Sequence, residues 1–443
     1  MASERLRLQM LARAVLTGEL TPEAIVDRVS ELFGGPCRWF RAPARRLVNG
    51  FAGRTMPRER EVLDFLLRDV GFWRAWLKHR NKLSVAKWLM EPQALRLVPA
   101  AAKWNLPEIE SVGGLAEWLG VSVGELEWLA DLKGFDYRRE PSPMSQYSYL
   151  VLTKKSGTVR LIEAPKSRLK KIQQQILTQI LDRISPHDAA HGFVRGLSIK
   201  SFVSPHAGRR VVLKMDLSNF FPTFRAARIQ TLFRTLGYPE PVADLLGGIC
   251  TNAVPLYIWN TRPIDVSAGY WREVRDVYAR PHLPQGAPTS PALANACCYR
   301  LDCRLAGLAR SAGGNYTRYA DDLAFSGDEE FERGIERFAA HVGAILLEEG
   351  FAVNFRKTRI MGQGARQRLA GLVANKFVNI PRTDFDRLKA ILANCVRHGP
   401  ESQNREGHPQ FRLHLEGRIG FVESVNPHKG KRLRKILDQI AWE

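Results

Sequence analysis

Cysteine is scarce and unpaired in this chain. The six cysteines in 443 residues (Cys37, Cys250, Cys297, Cys298, Cys303 and Cys395) include no CxxC pair and suit a reducing compartment, where most are expected to be buried. A zinc site at Cys395, His398, His408 and His414 is disfavoured because Cys395 falls on the apolar face of a helix. Apolar runs of transmembrane length are also missing, so no membrane partner is expected. The opening segment MASERLRLQMLARAVL lacks the apolar centre and cleavage site of a secretory signal, which points to a cytoplasmic protein. Internal repeats and low-complexity linkers are absent. Acid is the remaining deficit: 45 Asp and Glu stand against 66 Lys and Arg, a formal net charge of +21. Such a surplus points to a polyanionic partner, with nucleic acid the first candidate. At 45% hydrophobic residues, the chain is globular and can fill more than one core.

Residues 1–135 read as an N-terminal helical region. TPEAIVDRVSELFGG starts on a Thr cap and ends in glycines. SVGGLAEWLGVSVGELEWLADLKG predicts two short helices joined by LGVS, close to a helix-turn-helix pattern. Glu125, Glu127 and Asp131 there would repel phosphate, so Leu115, Trp118, Leu119, Leu126 and Leu129 are assigned to packing. From 146 the pattern changes. YSYLVLTKKSGTVRLIEAP predicts strand, basic turn and strand, and SRLKKIQQQILTQILDRI an amphipathic helix with Leu169, Ile172, Ile176, Leu177, Ile180 and Ile184 on its apolar face. RRVVLKMDLSNFF predicts a strand with Val212, Lys214 and Asp216 on one face, followed by a helix in AARIQTLFRTLG. From 381 to 443 helix returns. TDFDRLKAILANCVRHGP takes Thr383 as its N-cap, and HKGKRLRKILDQI sets Lys429, Lys431, Arg432, Arg434 and Lys435 opposite Leu433, Ile436, Leu437 and Ile440. That basic face is assigned to a nucleic-acid backbone.

NYTRYADDLAFSG, residues 315–327, places Asp321 and Asp322 between two apolar arms, which predicts a β-hairpin with the acids at its tip. Alone this means little, since Asp-Asp in a tight turn is usually just solvated. A third acid, Asp216, ends a separate strand. Three carboxylates brought together repel one another unless divalent cations sit between them. Paired Mg²⁺ ions about 3.5–4 Å apart are what two-metal phosphoryl transfer uses.

YADD, LKMDLSNFFPTF and LPQGAPTSPALAN, in this order, resemble the palm of reverse transcriptases, specifically the bacterial retron and group II intron branch. The resemblance runs from about Val151 to the end. It implies an α+β right-hand polymerase: fingers and palm over 146–380, the palm an antiparallel sheet with helices, then a helical thumb over 381–443. It implies two Mg²⁺ ions held by Asp216, Leu217, Asp321 and Asp322, with Lys357 in VNFRKTRIM protonating the leaving pyrophosphate and Asn354 positioning that segment. Phe221 matches the aromatic that excludes a ribose 2′-hydroxyl, which implies dNTP substrates. Gln285 and Gly286 match the loop against the incoming nucleotide, shaped by Pro288, Ser290 and Pro291. Arg160, Lys154 and Lys155 suit the triphosphate.

The resemblance also implies a structured noncoding RNA as template and primer, a single-stranded cDNA, and synthesis from a guanosine 2′-hydroxyl to give branched RNA–DNA (msDNA). An antiphage role with an effector protein goes with it. In the retron element before the first catalytic acid, here Phe202, Val203, Ser204, Pro205 and His206, only His206 matches. In the Val-Thr-Gly element, here Leu369, Ala370 and Gly371, only Gly371 does. His206, Gly371, Arg432 and Lys435 are the RNA-binding candidates. The chain ends soon after the thumb-sized region, without maturase or endonuclease extensions, which favours a retron enzyme. The alternatives are a reverse transcriptase of the abortive-infection or CRISPR-associated type, and a catalytically inactive regulator that binds nucleic acid through 111–134.

Overall fold

The structure, a computed structural model, describes residues 2–52, 57–87, 103–138, 144–153 and 158–442. It divides into two compact units, each assembled from two stretches of chain: Met1–Ile184 with Phe224–Leu293, and Ser185–Thr223 with Ala294–Glu443.

In the first unit the helices Ala2–Leu16, Pro22–Phe33, Arg41–Phe51, Glu59–Arg68 and Val70–His79 share one core, to which Leu11, Val15, Ile25, Val29, Leu47, Val62, Leu66, Phe72 and Trp76 contribute. Burial of each large apolar side chain stabilises by about 1.5–3 kcal/mol, against the entropy of ordering it. The second helix opens on Thr21, whose hydroxyl accepts from the Ala24 N–H at 3.3 Å, and closes on Gly34 at φ 66°. Helices Val112–Leu119 and Val123–Ala130 are capped in the same way by Ser111 and Ser122. Leu115, Leu119, Leu126 and Leu129 are buried as packing residues, and the Trp118 indole donates to Gln179 Oε1 at 3.1 Å.

Strands β1 (Tyr147–Thr153) and β2 (Val159–Pro165) pair antiparallel, from Tyr147 opposite Pro165 to Thr153 opposite Val159. Residues 154–157, which include Lys154 and Lys155, lie outside the described residues. The helix that follows, Ser167–Gln179, buries Leu169, Ile172 and Ile176 but stops before Ile180. A 3₁₀ turn over Leu181–Arg183 replaces the expected continuation. Ile180 and Leu181, beyond the end of the α-helix, are both buried, and the tighter turn carries the chain on in one short piece.

The second unit is built on a five-stranded antiparallel sheet of β3 (Val211–Ser218), β4 (Asn315–Tyr319), β5 (Asp322–Gly327), β6 (Ala352–Val353) and β7 (Arg359–Gly362). β3 is its axis, with β5 along one edge and β7 then β6 along the other. β3 is apolar almost throughout, and Val211, Val212, Leu213, Met215 and Leu217, which lie on both faces of the sheet, are all buried, as in a strand covered on both faces. β8 (Arg368–Leu369) and β9 (Leu372–Val373) form a small hairpin turned by Ala370 and Gly371, at φ 44° and 88°. Two consecutive positive φ values are what a two-residue hairpin loop requires. Helices Arg382–His398, Phe411–Val425 and Pro427–Leu437 close a core with the sheet through Leu388, Leu392, Cys395, Ile419, Leu433 and Val212.

Two further expectations are corrected. The helix predicted to start on Thr383 starts at Arg382, with Pro381 as its N-cap and the Pro381 carbonyl accepting from Asp384 and Phe385 N–H at 3.1 Å. Proline pre-sets the entry dihedral, so no side-chain cap is used, and Asp386 pairs with Arg382 at 3.4 Å instead. His206, expected to meet RNA, is fully buried. Its ring nitrogens lie 2.7 Å from Ser326 Oγ and 2.7 Å from Thr317 Oγ1, so the imidazole pins the Ser204–His206 turn to β5 and β4 and offers no free atom to a ligand.

Burial pushes the His206 imidazole from 6.5 down to about 3. The folded chain therefore keeps it neutral while the unfolded chain takes up a proton below 6.5, so its contribution is complete above that pH and is lost as pH falls towards 3. His206→Gln can serve both hydroxyls without titrating. Urea unfolding between pH 6 and pH 4 should show the wild-type losing stability faster than H206Q, by roughly 1 kcal/mol per pH unit.

Candidate active site

The register of β3 with β5 sets Asp216 directly opposite Asp322, and that of β4 with β5 sets Tyr319 opposite Asp322. The hairpin turn is therefore Ala320–Asp321, with Ala320 at φ 54°. Two backbone bonds fasten this end of the sheet. Leu217 N–H donates to Asp321 O at 2.9 Å, and Asn354 N–H donates to Asp216 O at 2.7 Å. Asn354 thus positions its segment through its main chain. Leu217 can offer a cation only its carbonyl oxygen.

Asp216 is buried, and Asp321 and Asp322 are half-buried. Burial raises the Asp321 carboxyl above its ordinary value, and the nearby Asp216 and Asp322 carboxylates add to this. Protein cations answer the excess. Lys357 Nζ lies 3.0 and 2.8 Å from the two Asp216 oxygens. Lys214 Nζ lies 2.8 Å from Asp322 Oδ1, a charge contact without the alignment of a hydrogen bond. With two carboxylates turned onto ammonium groups, no three metal-ligating side chains converge on one point among the described residues. The donors are nevertheless hard carboxylate oxygens with unbalanced negative charge, the set a divalent ion such as Mg²⁺ takes, and the two ammoniums stand in for cations. The residues fit the metal.

A buried frame carries the hairpin. Arg318 on β4 is fully buried and grips Asp302 of helix Tyr299–Ser311 by two bonds, 2.8 Å from Nε and 2.6 Å from Nη2. Asp302 also accepts from the Tyr316 hydroxyl at 2.8 Å, and Arg318 reaches Asn295 Oδ1 at 3.0 Å. Asn295 in turn donates to Gly192 O at 2.9 Å. Gly192 lies against the hairpin turn, where a Cβ would come within 2.6 Å of the Ala320 nitrogen.

Aromatic residues sit beside the same strand end. Asn219, at φ 49°, turns the chain off β3. Phe220 then enters the core against Phe351, 6.2 Å between ring centres. Phe221 is only half-buried and lies 6.1 Å from the exposed Phe193, which is 6.4 Å from Tyr319.

The second unit therefore gathers Asp216, Asp321, Asp322 and Lys357 within one cluster and places Phe221 three residues beyond β3. It also carries Gly371, exposed in its hairpin turn, and Arg432 and Lys435, exposed on Pro427–Leu437. Arg434 of that basic face is tied to Glu423, 2.6 Å from Nη2. The first unit carries Arg160, exposed on β2 opposite Leu152. It also carries Gln285, whose carbonyl accepts from Glu163 N–H at 2.8 Å, and Gly286 at φ 134°. Ser290 shapes that loop by donating to Pro284 O at 2.7 Å.

Residues 152–398 match the family described as reverse transcriptase (RNA-dependent DNA polymerase). The chain is 40% identical over 341 residues to the retron Mx65 reverse transcriptase of Myxococcus xanthus, covering 75% of this chain and 73% of that one. It is 35% identical to the retron Mx162 reverse transcriptase of the same organism, over 76% and 68% of the two chains. To the retron Ec86 reverse transcriptase of Escherichia coli it is 29% identical, over 76% and 91%. The chain belongs to the retron-type reverse transcriptases. As an enzyme of that family it is an RNA-directed DNA polymerase, with RNA as template and DNA as product, and the family works with divalent metal ions.

The sequence drew attention to the reverse transcriptase's acids but not to what holds them. Asp302 offered a signal: it shares the apolar face of its helix with Leu301, Leu305 and Ala309. Arg318 is a lone cation among buried strand residues, the counterpart that such an acid requires. Gly192 and Phe193 carried no chemical signal at all.

Gly192→Ala tests the frame. The added methyl meets main-chain atoms of the hairpin, which cannot swing aside as a side chain can. A displacement of ångström size at reacting groups costs on the order of 100-fold in rate. Primer extension by G192A should fall by about that factor, with primer–template affinity within a few-fold of the wild-type, as measured by filter binding and steady-state kinetics.

Proposed function

We propose that this chain copies a structured noncoding RNA into single-stranded DNA by two-metal nucleotidyl transfer, and that it does so as a retron enzyme making branched RNA–DNA. The observation that carries the proposal is the pairing of Asp216 with Asp322 across β3 and β5, with Asp321 in the adjoining turn and Lys357 and Lys214 balancing the charge. In this reading the sheet of the second unit is the palm, the helices from Arg382 onward are the thumb, and the β1–β2 hairpin belongs to the fingers.

Asp216, Asp321 and Asp322, with the Leu217 carbonyl, would hold two Mg²⁺ ions. Bound there, the ions supply activation of the attacking hydroxyl and charge stabilisation of the leaving oxygen. The chain's own residues do the rest. Lys357, whose ammonium rests on Asp216, would donate a proton to the departing pyrophosphate. Arg160 pairs its guanidinium with triphosphate oxygens. Gln285 and Gly286 bring main chain close to the incoming dNTP. Phe221, left half-exposed while Phe220 fills the core, occupies the space that a ribose 2′-hydroxyl would need. The exposed Arg432 and Lys435 and the Ala370–Gly371 turn lie along RNA, held through shape and phosphate contacts.

An inactive regulator reading DNA through 111–134 fits poorly. Glu127 and Asp131 line a cavity of about 900 Å3 together with Glu59, Glu110, Asp136, Glu240 and Asp244, against only Arg13 and Lys133 among the bases. Glu125 is paired with Arg168 at 2.8 Å. Phosphate would be repelled there.

The double variant D321A/D322A should abolish dNTP incorporation on a primed RNA template while leaving RNA binding within about threefold, since neither residue belongs to the basic surface; retained synthesis would sink the assignment. Phe221→Val should let the enzyme extend with rNTPs, narrowing discrimination against them by roughly 10-fold or more, as read from competing dNTP and rNTP incorporation. Sequencing the nucleic acid that co-purifies from the host separates the lineages. A branched RNA–DNA species supports the retron reading and, with an effector protein in the same complex, the role in phage defence.

A further inference from the structure

Beneath β2 the first unit contains a polar network that no step above uses. Glu163 and His282 are both fully shielded from solvent, and His282 Nε2 lies 3.0 Å from Glu163 Oε1. The other ring nitrogen, Nδ1, faces the Arg280 carbonyl at 2.7 Å. A carbonyl only accepts, so Nδ1 must carry a hydrogen, and the Nε2 to Oε1 contact then shares one further proton between ring and carboxyl. The remaining carboxyl oxygen, Oε2, accepts from Asn252 Nδ2 at 2.7 Å, and Asn252 Nδ2 also reaches the Tyr149 hydroxyl at 3.1 Å. Asn252 and His282 exchange two backbone bonds, of 2.9 and 3.0 Å. Every polar atom of the Glu163 side chain is engaged.

This network sits directly behind the Gln285–Gly286 loop. Glu163 N–H donates to Gln285 O at 2.8 Å. A Cβ on Gly286 would fall 2.9 Å from Glu163 O and 3.3 Å from Ile162 Cγ2, so the loop lies flat on β2 with no room for a side chain. Along β2, Leu161, Glu163 and Pro165 point into the core while Arg160 and Ala164 are exposed. One strand therefore presents a cation outward and anchors the loop from below, three residues apart.

We propose that Glu163 and His282, joined by Asn252 and Tyr149, are positioning residues for the incoming nucleotide: a buried latch that sets the Gln285–Gly286 loop against β2 and thereby sets the KM for dNTP. The proposal rests on the reading of that loop as nucleotide-binding. A hydrogen-bonded polar pair is used in place of an apolar contact because directional bonds fix a loop to within a fraction of an ångström, whereas apolar packing tolerates sliding.

The test compares Glu163→Gln with Glu163→Met, both close to glutamate in volume. Glutamine can donate to a neutral His282 Nε2 and accept from Asn252, so it restores each bond. Methionine leaves the imidazole Nε2 buried without a partner and the Asn252 amide with only the Tyr149 hydroxyl, a loss sufficient to displace the loop. Expected for E163M is a rise in KM for dNTP of about tenfold, with kcat and primer–template affinity changed less than threefold, and for E163Q near-wild-type values. If E163M is too unstable to assay, Asn252→Ala decides, with an expected rise of about threefold. Gln285→Ala is run alongside. Should Q285A leave KM unchanged, the loop reading is wrong and the latch falls with it. Should Q285A raise KM while folded E163M or N252A does not, or should kcat and KM fail together in E163M, the latch alone is overturned.

Discussion

Like charge held close together is the constraint on which the rest of this structure depends. Asp216 and Asp322 are opposite one another across two strands and Asp321 is in the next turn, in a place where burial already disfavours ionisation. Nothing in the local sequence would keep such a group from springing apart. What keeps it is backbone register, which side-chain repulsion cannot alter without breaking a ladder of hydrogen bonds, and the two ammonium groups that settle on the carboxylates. Conversely, β3 has to be flanked on both edges, or the register would have only one ladder to hold it. The sheet topology and the electrostatics answer the same demand.

A second demand is met twice by the same device. Each unit buries a carboxyl group with a nitrogen partner beneath a loop that it must keep still: Asp302 with Arg318 under the Ala320–Asp321 turn, and Glu163 with His282 under Gln285–Gly286. In both, the carboxylate accepts from neutral partners as well, Tyr316 in one case and Asn252 in the other. Buried pairs contribute little net stability compared with apolar residues of equal volume. Their placement under the two loops fits a role in fixing geometry.

Much of this was legible in the sequence where periodicity or capping spoke. The hairpin at 315–327, the strand ending in Asp216, the Thr21 and Gly34 helix limits and the paired helices at 111–130 follow from alternation and from hydroxyl caps. The misreadings have a common origin, since each turned on tertiary placement. His206 looked like an exposed polar residue in a family element, yet two hydroxyls on neighbouring strands draw it inside. Thr383 looked like a cap, yet Pro381 had already set the helix. Ile180 extended an apolar stripe, yet the α-helix ends at Gln179 and a 3₁₀ turn follows with Ile180 and Leu181 both in the core. Arg318 and Asp302 each broke an apolar pattern, but the pairing itself was beyond local reading, because each makes sense only beside the other.

Gly192 also bears on how this scaffold can be re-engineered. Its contact with the Ala320 turn is main chain against main chain, so a clash introduced there has no side chain whose trimming would relieve it. Variant libraries that recolour the aromatic group of Phe193, Phe221 and Tyr319 can range widely in chemistry. They will have to treat position 192 as invariant, although it contributes no functional group. In a combinatorial design the least reactive residue near the acids is the one with the fewest permitted letters.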